Sequence, residues 1–144
     1  ELTYSPMFST AKDVVNMAAL VATNILENRF KQIHVDEVRA LVEKDAYILD
    51  VREVGEFANG HIKNAVNIPL SELRERMNEI PKERTVYVHC RSAQRSYNAV
   101  MALLHNGYEN VYNVSGSFLG ICLYEYFNDQ TKNREPIVTQ YNFR

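Results

Sequence analysis

The sequence predicts an α/β domain built on a mostly parallel sheet with helices on both faces, preceded by a helical appendage. Three observations predict it. Two short apolar runs, residues 47–51 (YILDV) and 85–89 (TVYVH), are rich in the β-branched and aromatic types that fill buried strands. Amphipathic stretches alternate with them, and strands that alternate with helices pair in parallel under a helical cover. The chain of 144 residues is long enough for one domain with a real core and a short extension.

The elements follow in order. Ser9 and Thr10 can cap a helix from Lys12 to Leu26. Val14, Val15, Ala18, Leu20, Val21, Ala22, Ile25 and Leu26 make that helix apolar on more than one face, so it packs on the following domain or on a partner. The chain divides near residues 29–31, giving an appendage at 1–30, a domain at 31–128 and a C-terminal tail at 129–144. Brief strands are expected near Ile33, Val66 and Val111. Helices are expected at 35–43, at 71–78 with Ser71 as cap, at 94–105 and at 117–127. In the third, Tyr97, Val100, Met101 and Leu104 share one stripe, the spacing of a helix laid on a sheet.

Composition excludes several classes. The net charge is −2 at pH 7 and 24% of residues are charged, with no Lys/Arg block suited to nucleic acid or a membrane surface. No apolar run is long enough to span a bilayer. Two cysteines, Cys90 and Cys122, do not make a disulfide framework, which points to a reducing, cytoplasmic setting. The scattered His34, His61, His89 and His105 make no metal site. The first residue is Glu1 rather than Met, so an upstream segment is expected.

The chemistry is expected in the loop Cys90-Arg91-Ser92-Ala93-Gln94-Arg95-Ser96. A strand ends at Cys90 and a helix begins within a few residues, at the sheet edge where α/β folds bind ligands. Backbone N–H groups there form an anion cradle, and the helix dipole and two arginines add positive potential. All favour thiolate over thiol, moving Cys90 down from a reference pKa of about 8.5. Cys122, mid-helix among Leu119, Ile121 and Leu123, reads as packing. Asp50 and Arg52 end the first strand and either position the loop and its arginines or form an ordinary ion pair. His61 suits a structural hydrogen bond, and strand alternation turns His89 away from Cys90. Met17, Met77 and Met101 read as core, and residues 72–76 as a solvated helix face. Tyr124, Tyr126, Phe127, Tyr141 and Phe143 supply packing or a contact surface.

Several motifs carry a resemblance. Leu49-Asp-Val-Arg-Glu53, Glu56-Phe57, Gly60-His-Ile62, Ala65-Val-Asn-Ile-Pro69 and Val88-His-Cys-Arg-Ser92 with Gln94-Arg-Ser96 resemble the signature of the rhodanese homology domain. Gly107–Val111 and Val114-Ser-Gly116 continue it, over about residues 32–127. The resemblance implies a rhodanese-like fold and a sulfurtransferase. Cys90 then takes sulfane sulfur from thiosulfate, a persulfide or a polysulfide and passes it to cyanide or a thiol. The backbone from Arg91 to Ser96 holds the persulfide, and Arg91 and Arg95 orient an anionic donor. Where many relatives carry glycine this chain has Ala93, which bears on donor preference. Related phosphatases space cysteine and arginine as C-x5-R. Cys90 and Arg95 are C-x4-R, a tighter ring that suits a sulfur atom better than a phosphoryl group.

The segment Tyr4–Ser9 followed by Ala11–Ala18 resembles the end of the dimerisation domain of flavin-dependent pyridine nucleotide–disulfide oxidoreductases similar to coenzyme A-disulfide reductase. That resemblance implies a parent flavoprotein whose other domains bind FAD and NAD(P)H, while this segment holds neither and no metal. A sulfur donor, a thiol acceptor and the flavoprotein domains are the expected partners. The competing reading is a non-catalytic regulatory or interaction module, against which the intact Cys90 tells.

Overall fold

The computed structural model describes residues 30–143 and, before them, residues 19, 22–24 and 26. These earlier residues are helical, and Thr23 Oγ1 donates to the Ala19 carbonyl at 2.9 Å. The rest of the expected 12–26 helix, with Met17, lies outside the described residues. The chain forms two compact units, Glu1–Lys31 and Gln32–Arg144.

The elements are β1 (Lys31–Ile33), a 3-10 turn (Val35–Glu37) leading into α1 (Val38–Glu43), β2 (Tyr47–Asp50), α2 (Val54–Ala58), β3 (Val66–Asn67), a 3-10 turn (Met77–Glu79), β4 (Val86–His89), α3 (Gln94–His105), β5 (Val111–Val114) and α4 (Ser117–Lys132). The strands form one sheet in the order β1-β5-β4-β2-β3. β2 pairs in parallel with β3 and β4, and β4 with β5. The mostly parallel α/β sheet is therefore present. Its middle strands are the two apolar runs of the sequence, because strands covered on both faces bury mostly apolar side chains; the buried Asp50 and His89 stand at their ends. Ile48, Leu49, Val86 and Val88 are fully buried in them, and Val100, Leu103, Phe118 and Ile121 pack from the helices.

Two elements differ from expectation. Residues 71–78 do not form an α-helix. Glu72, Leu73 and Glu75 donate their N–H to carbonyls three residues back, and the segment ends in the 3-10 turn. The Tyr108 hydroxyl donates instead to the Met77 carbonyl at 2.6 Å and lies 3.1 Å from that of Ile80. In a continuing helix the Met77 carbonyl would face Pro81, which has no N–H, so the Tyr108 hydroxyl meets that carbonyl from outside. The buried stripe of α3 is Ser96, Ala99, Val100 and Leu103, one position round from Tyr97, Val100, Met101 and Leu104. The small Ser96 and Ala99 face inward beside the loop.

α4 runs to Lys132, beyond the expected end at 127, and residue 128 lies inside it. Its second half carries the buried Glu125 and Asp129, paired with Arg39 of α1 and with Arg134. The chain then returns. Ile137 and Val138 are buried, the Lys63 N–H donates to the Ile137 carbonyl at 2.9 Å, and the Thr139 N–H to that of His61 at 2.8 Å. Among the described residues no helix is long and apolar enough to cross a membrane.

Candidate active site

β4 ends at His89 and α3 begins at Gln94, so Cys90 sits where the central strand turns into a helix. The turn is made by Ala93, whose φ of +82° is left-handed. An alanine there costs about 1–2 kcal/mol that a glycine avoids. The conformation is held by its surroundings. The Ser96 hydroxyl donates to the Ala93 carbonyl at 3.0 Å. The N–H groups of Phe118 and Leu119, in the first turn of α4, donate to the carbonyls of Cys90 and Arg91 at 3.0 and 3.1 Å. So fixed, the Ala93 N–H points at Cys90 Sγ, 3.2 Å away.

Cys90 is 1% exposed. Burial pushes its thiol up, but hydrogen bonds from the Ser96 backbone and hydroxyl, the Ser92 backbone and the Ser117 hydroxyl outweigh it, and the thiol falls below its ordinary value. A lowered value was expected from the sequence; the hydroxyls of Ser96 and Ser117 were not part of that expectation. Ser117 opens α4 at a left-handed φ of +48°, is buried, and its Oγ accepts the Cys90 N–H at 3.2 Å. Its sequence signal, a serine after Gly116, reads only as a helix start.

The arginines divide. Arg95 donates through both terminal nitrogens to the Glu56 carboxylate of α2, at 2.6 and 2.8 Å. That hydrogen bond holds the Glu56 carboxyl below its usual range and raises Arg95, on which Cys90 acts as a lesser influence. Arg95 therefore braces the loop against α2. Glu56 was legible only as part of its motif. The Arg91 guanidinium, among the described residues, makes no hydrogen bond or ion pair and is half-buried at the loop. Ser92 and Gln94 are exposed at the rim.

Behind the loop, Asp50 and Arg52 are both fully buried. Arg52 donates to Asp50 Oδ2 through Nη2 at 2.6 Å and from Nε at 3.0 Å, while its backbone N–H reaches Asp50 Oδ1 at 3.0 Å. A further bond from Nη2 reaches the Gly60 carbonyl at 2.8 Å, and the guanidinium lies 3.9 Å from the Phe118 ring centre. The pair touches neither Sγ nor Arg95; it ties β2 to the Gly60 turn and to α4. His89 is buried with Nδ1 3.2 Å from the Cys90 carbonyl and Nε2 3.6 Å from Asp50 Oδ2. Burial pushes its imidazole down, against the pull of Asp50. His61 stacks on Phe57 with ring centres 3.9 Å apart, and its Nδ1 lies 2.9 Å from the Phe57 carbonyl. Cys122 is buried in the core, its thiol raised by burial. Among the described residues no cluster of His, Cys, Asp or Glu has the arrangement of a metal site.

The arrangement holds the Cys90 thiol at the bottom of a tight loop with N–H and O–H groups aimed at it, which favours its thiolate form. It can attack an electrophilic sulfur and bear the charge that returns when that sulfur leaves.

Known proteins resemble this chain in sequence and fold. The model of the rhodanese-like domain matches residues 34–123. The reduced Bacillus anthracis coenzyme A-disulfide reductase with its rhodanese domain is 42% identical, with a TM-score of 0.74 over 82% of this chain and 21% of that one. A NAD-dependent persulfide reductase from A. fulgidus is 38% identical, with a TM-score of 0.66 over 82% of this chain and 20% of that one. A sulfurtransferase of Allochromatium vinosum is 40% identical over 76 residues, 53% of this chain and 71% of its own length. The chain thus spans about a fifth of each reductase and most of the free-standing sulfurtransferase. These likenesses support sulfur transfer as the general class of its chemistry. With Cys90 at the strand end and the family model matching residues 34–123, more than half of the sequence, this chain belongs to the rhodanese-like domain family.

Proposed function

We propose that this domain is a sulfurtransferase that carries sulfane sulfur as a Cys90 persulfide. The observation that carries the reading is the Cys90 Sγ itself, buried and lowered by hydrogen bonds at the strand end. The thiolate attacks the outer sulfur of a donor such as thiosulfate. A bond forms between Sγ and that sulfur, the donor's S–S bond breaks, and sulfite leaves with the electron pair. An acceptor thiolate or cyanide then attacks the outer sulfur of the persulfide. The Cys90 S–S bond breaks, and Sγ leaves as the thiolate ready for another round. The loop N–H groups steady the anion in both states, and Arg91, with no partner among the described residues, draws in the anionic donor.

The two reductase likenesses support a second level of the proposal. The domain is a module of a cytoplasmic flavoprotein whose other parts hold FAD and NAD(P)H, and Cys90 delivers sulfur to a thiol there, such as that of coenzyme A. The C-x4-R spacing tells against phosphoryl transfer.

Incubation with thiosulfate, a persulfide or a polysulfide, followed by intact-mass measurement, tests the reading. Wild type gains one sulfur atom that cyanide removes, and Cys90→Ser gains none. Unchanged mass with all three donors overturns the reading in favour of a non-catalytic module, and turnover of an aryl phosphate overturns it in favour of a phosphatase.

A further inference from the structure

We propose that Ser117 is a positioning residue for the discharge of sulfur, its hydroxyl turning from the Val114 carbonyl to Cys90 Sγ whenever Sγ becomes the leaving thiolate. The proposal rests on the persulfide reading above and gives one side chain outside the loop a definite part in it.

A serine hydroxyl has one proton to donate and two lone pairs. Around Ser117 Oγ lie the Cys90 N–H at 3.2 Å, the Val114 carbonyl at 3.3 Å, Ser96 Oγ at 3.5 Å and Cys90 Sγ at 3.9 Å. The Cys90 N–H can only donate, so it occupies one lone pair. Ser96 has its own proton, which it can give to the Ala93 carbonyl at 3.0 Å or to Sγ. The Ser117 proton therefore chooses chiefly between the Val114 carbonyl and Sγ, and the charge on Sγ decides. A thiol, or the inner sulfur of a persulfide whose charge sits on the outer atom, is a poor acceptor, and the carbonyl wins. A thiolate is a charged acceptor and draws the proton. Rotation of the O–H bond alone makes the change, with no heavy atom displaced.

The backbone adds a second observation. Ser117 is held at φ +48° directly after Gly116 at +80°. Glycine would occupy that conformation without strain, and the serine is held there at a steric cost that its hydroxyl's hydrogen bonds help to offset. The site is fully buried, so no water competes for the hydroxyl's partners from an open surface.

A donor that favours thiolate acts differently on the two half-reactions. It makes Sγ a better leaving group when sulfur is passed on. It also makes Sγ a somewhat weaker nucleophile once fully ionised, because nucleophilicity falls with the pKa of the thiol.

Ser117→Gly removes the hydroxyl and suits the backbone. Ser117→Ala removes the hydroxyl and keeps the strain. Arg91, Arg95, Glu56 and His89, with Asp50 and Arg52 behind them, are the charged and titratable groups around the loop and are unchanged in both. Two readouts serve: the pH dependence of iodoacetamide labelling on the Cys90 peptide, followed by mass spectrometry, and single-turnover transfer of persulfide sulfur to cyanide. Both variants should label with a midpoint at higher pH and discharge sulfur about ten-fold more slowly, while loading from thiosulfate at high pH is as fast as in wild type or faster. A wild-type midpoint and discharge rate in either variant overturns the proposal, as does equal slowing of loading and discharge, the mark of a merely loosened loop. If wild type itself takes up no sulfur, the persulfide reading fails. The labelling midpoint then decides separately whether Ser117 stabilises the thiolate.

Discussion

The Asp50–Arg52 pair offers the sharpest test of what stands behind the loop. Both side chains are fully buried, and their bonds run Nη2 to Oδ2 at 2.6 Å and Nε to Oδ2 at 3.0 Å. Asp50→Asn keeps the shape and, at Oδ1, the acceptor for the Arg52 N–H and Nε, but removes the Oδ2 acceptor and leaves a buried guanidinium without its counter-charge. Arg52→Met leaves the opposite charge stranded. Breaking a buried pair from one side costs about 3–5 kcal/mol, whereas removing both charges together costs far less. Each single variant should therefore lose about 3–5 kcal/mol, and the double variant no more than either alone. The coupling between the sites is then at least about 3 kcal/mol, well above the ~0.5 kcal/mol scatter of independent sites. Urea unfolding measures it, read from the midpoint at unchanged slope. Costs that simply add, or single losses below about 1 kcal/mol, would refute the reasoning. Because the pair touches neither Sγ nor Arg95, the folded double variant should still take up sulfur from thiosulfate. Loss of that uptake in a folded double variant would instead make the pair a support of the loop.

Two further predictions concern the same corner of the fold. His89 is held neutral by burial, so below about pH 6.5 the unfolded chain binds a proton that the folded domain does not. Stability present above that pH is lost as the pH falls through the lower folded value, by at most about 1.4 kcal/mol per pH unit from this one group. Urea midpoints from neutral pH to pH 5 should show the loss in wild type and a flatter curve in His89→Gln; equally steep curves rule out His89 as its source. At Ala93, glycine relieves the left-handed strain but adds entropy to the unfolded chain, two effects of about 1 kcal/mol each that nearly cancel. Ala93→Gly should leave the urea midpoint almost unmoved, while β-branched Ala93→Val costs about 1–3 kcal/mol. A valine tolerated without loss would contradict the positive φ.

The chain's own order determined the sheet's middle strands and α3, because a strand buried on both faces is mostly apolar and a long helix shows its period. It also determined that Cys90 stands between the central strand and the next helix, since strand, loop and helix are contiguous. Where neighbours along the chain do not decide, the pattern misled or fell silent. Residues 71–78 have helical spacing, yet they turn mostly through bonds to carbonyls three residues back, and the Met77 carbonyl is met by Tyr108 from 31 residues away. Glu56 and Arg95 lie 39 residues apart, and only the packing of α2 beside the loop pairs them. Ser117 is 27 residues beyond Cys90, and it reaches the sulfur because β5 lies beside β4 and returns the chain to the same end of the sheet. The place of Cys90 was thus legible in local sequence, and the groups that hydrogen-bond around it were decided by the fold, since hydrogen bonds form between atoms close in space whatever their separation along the chain.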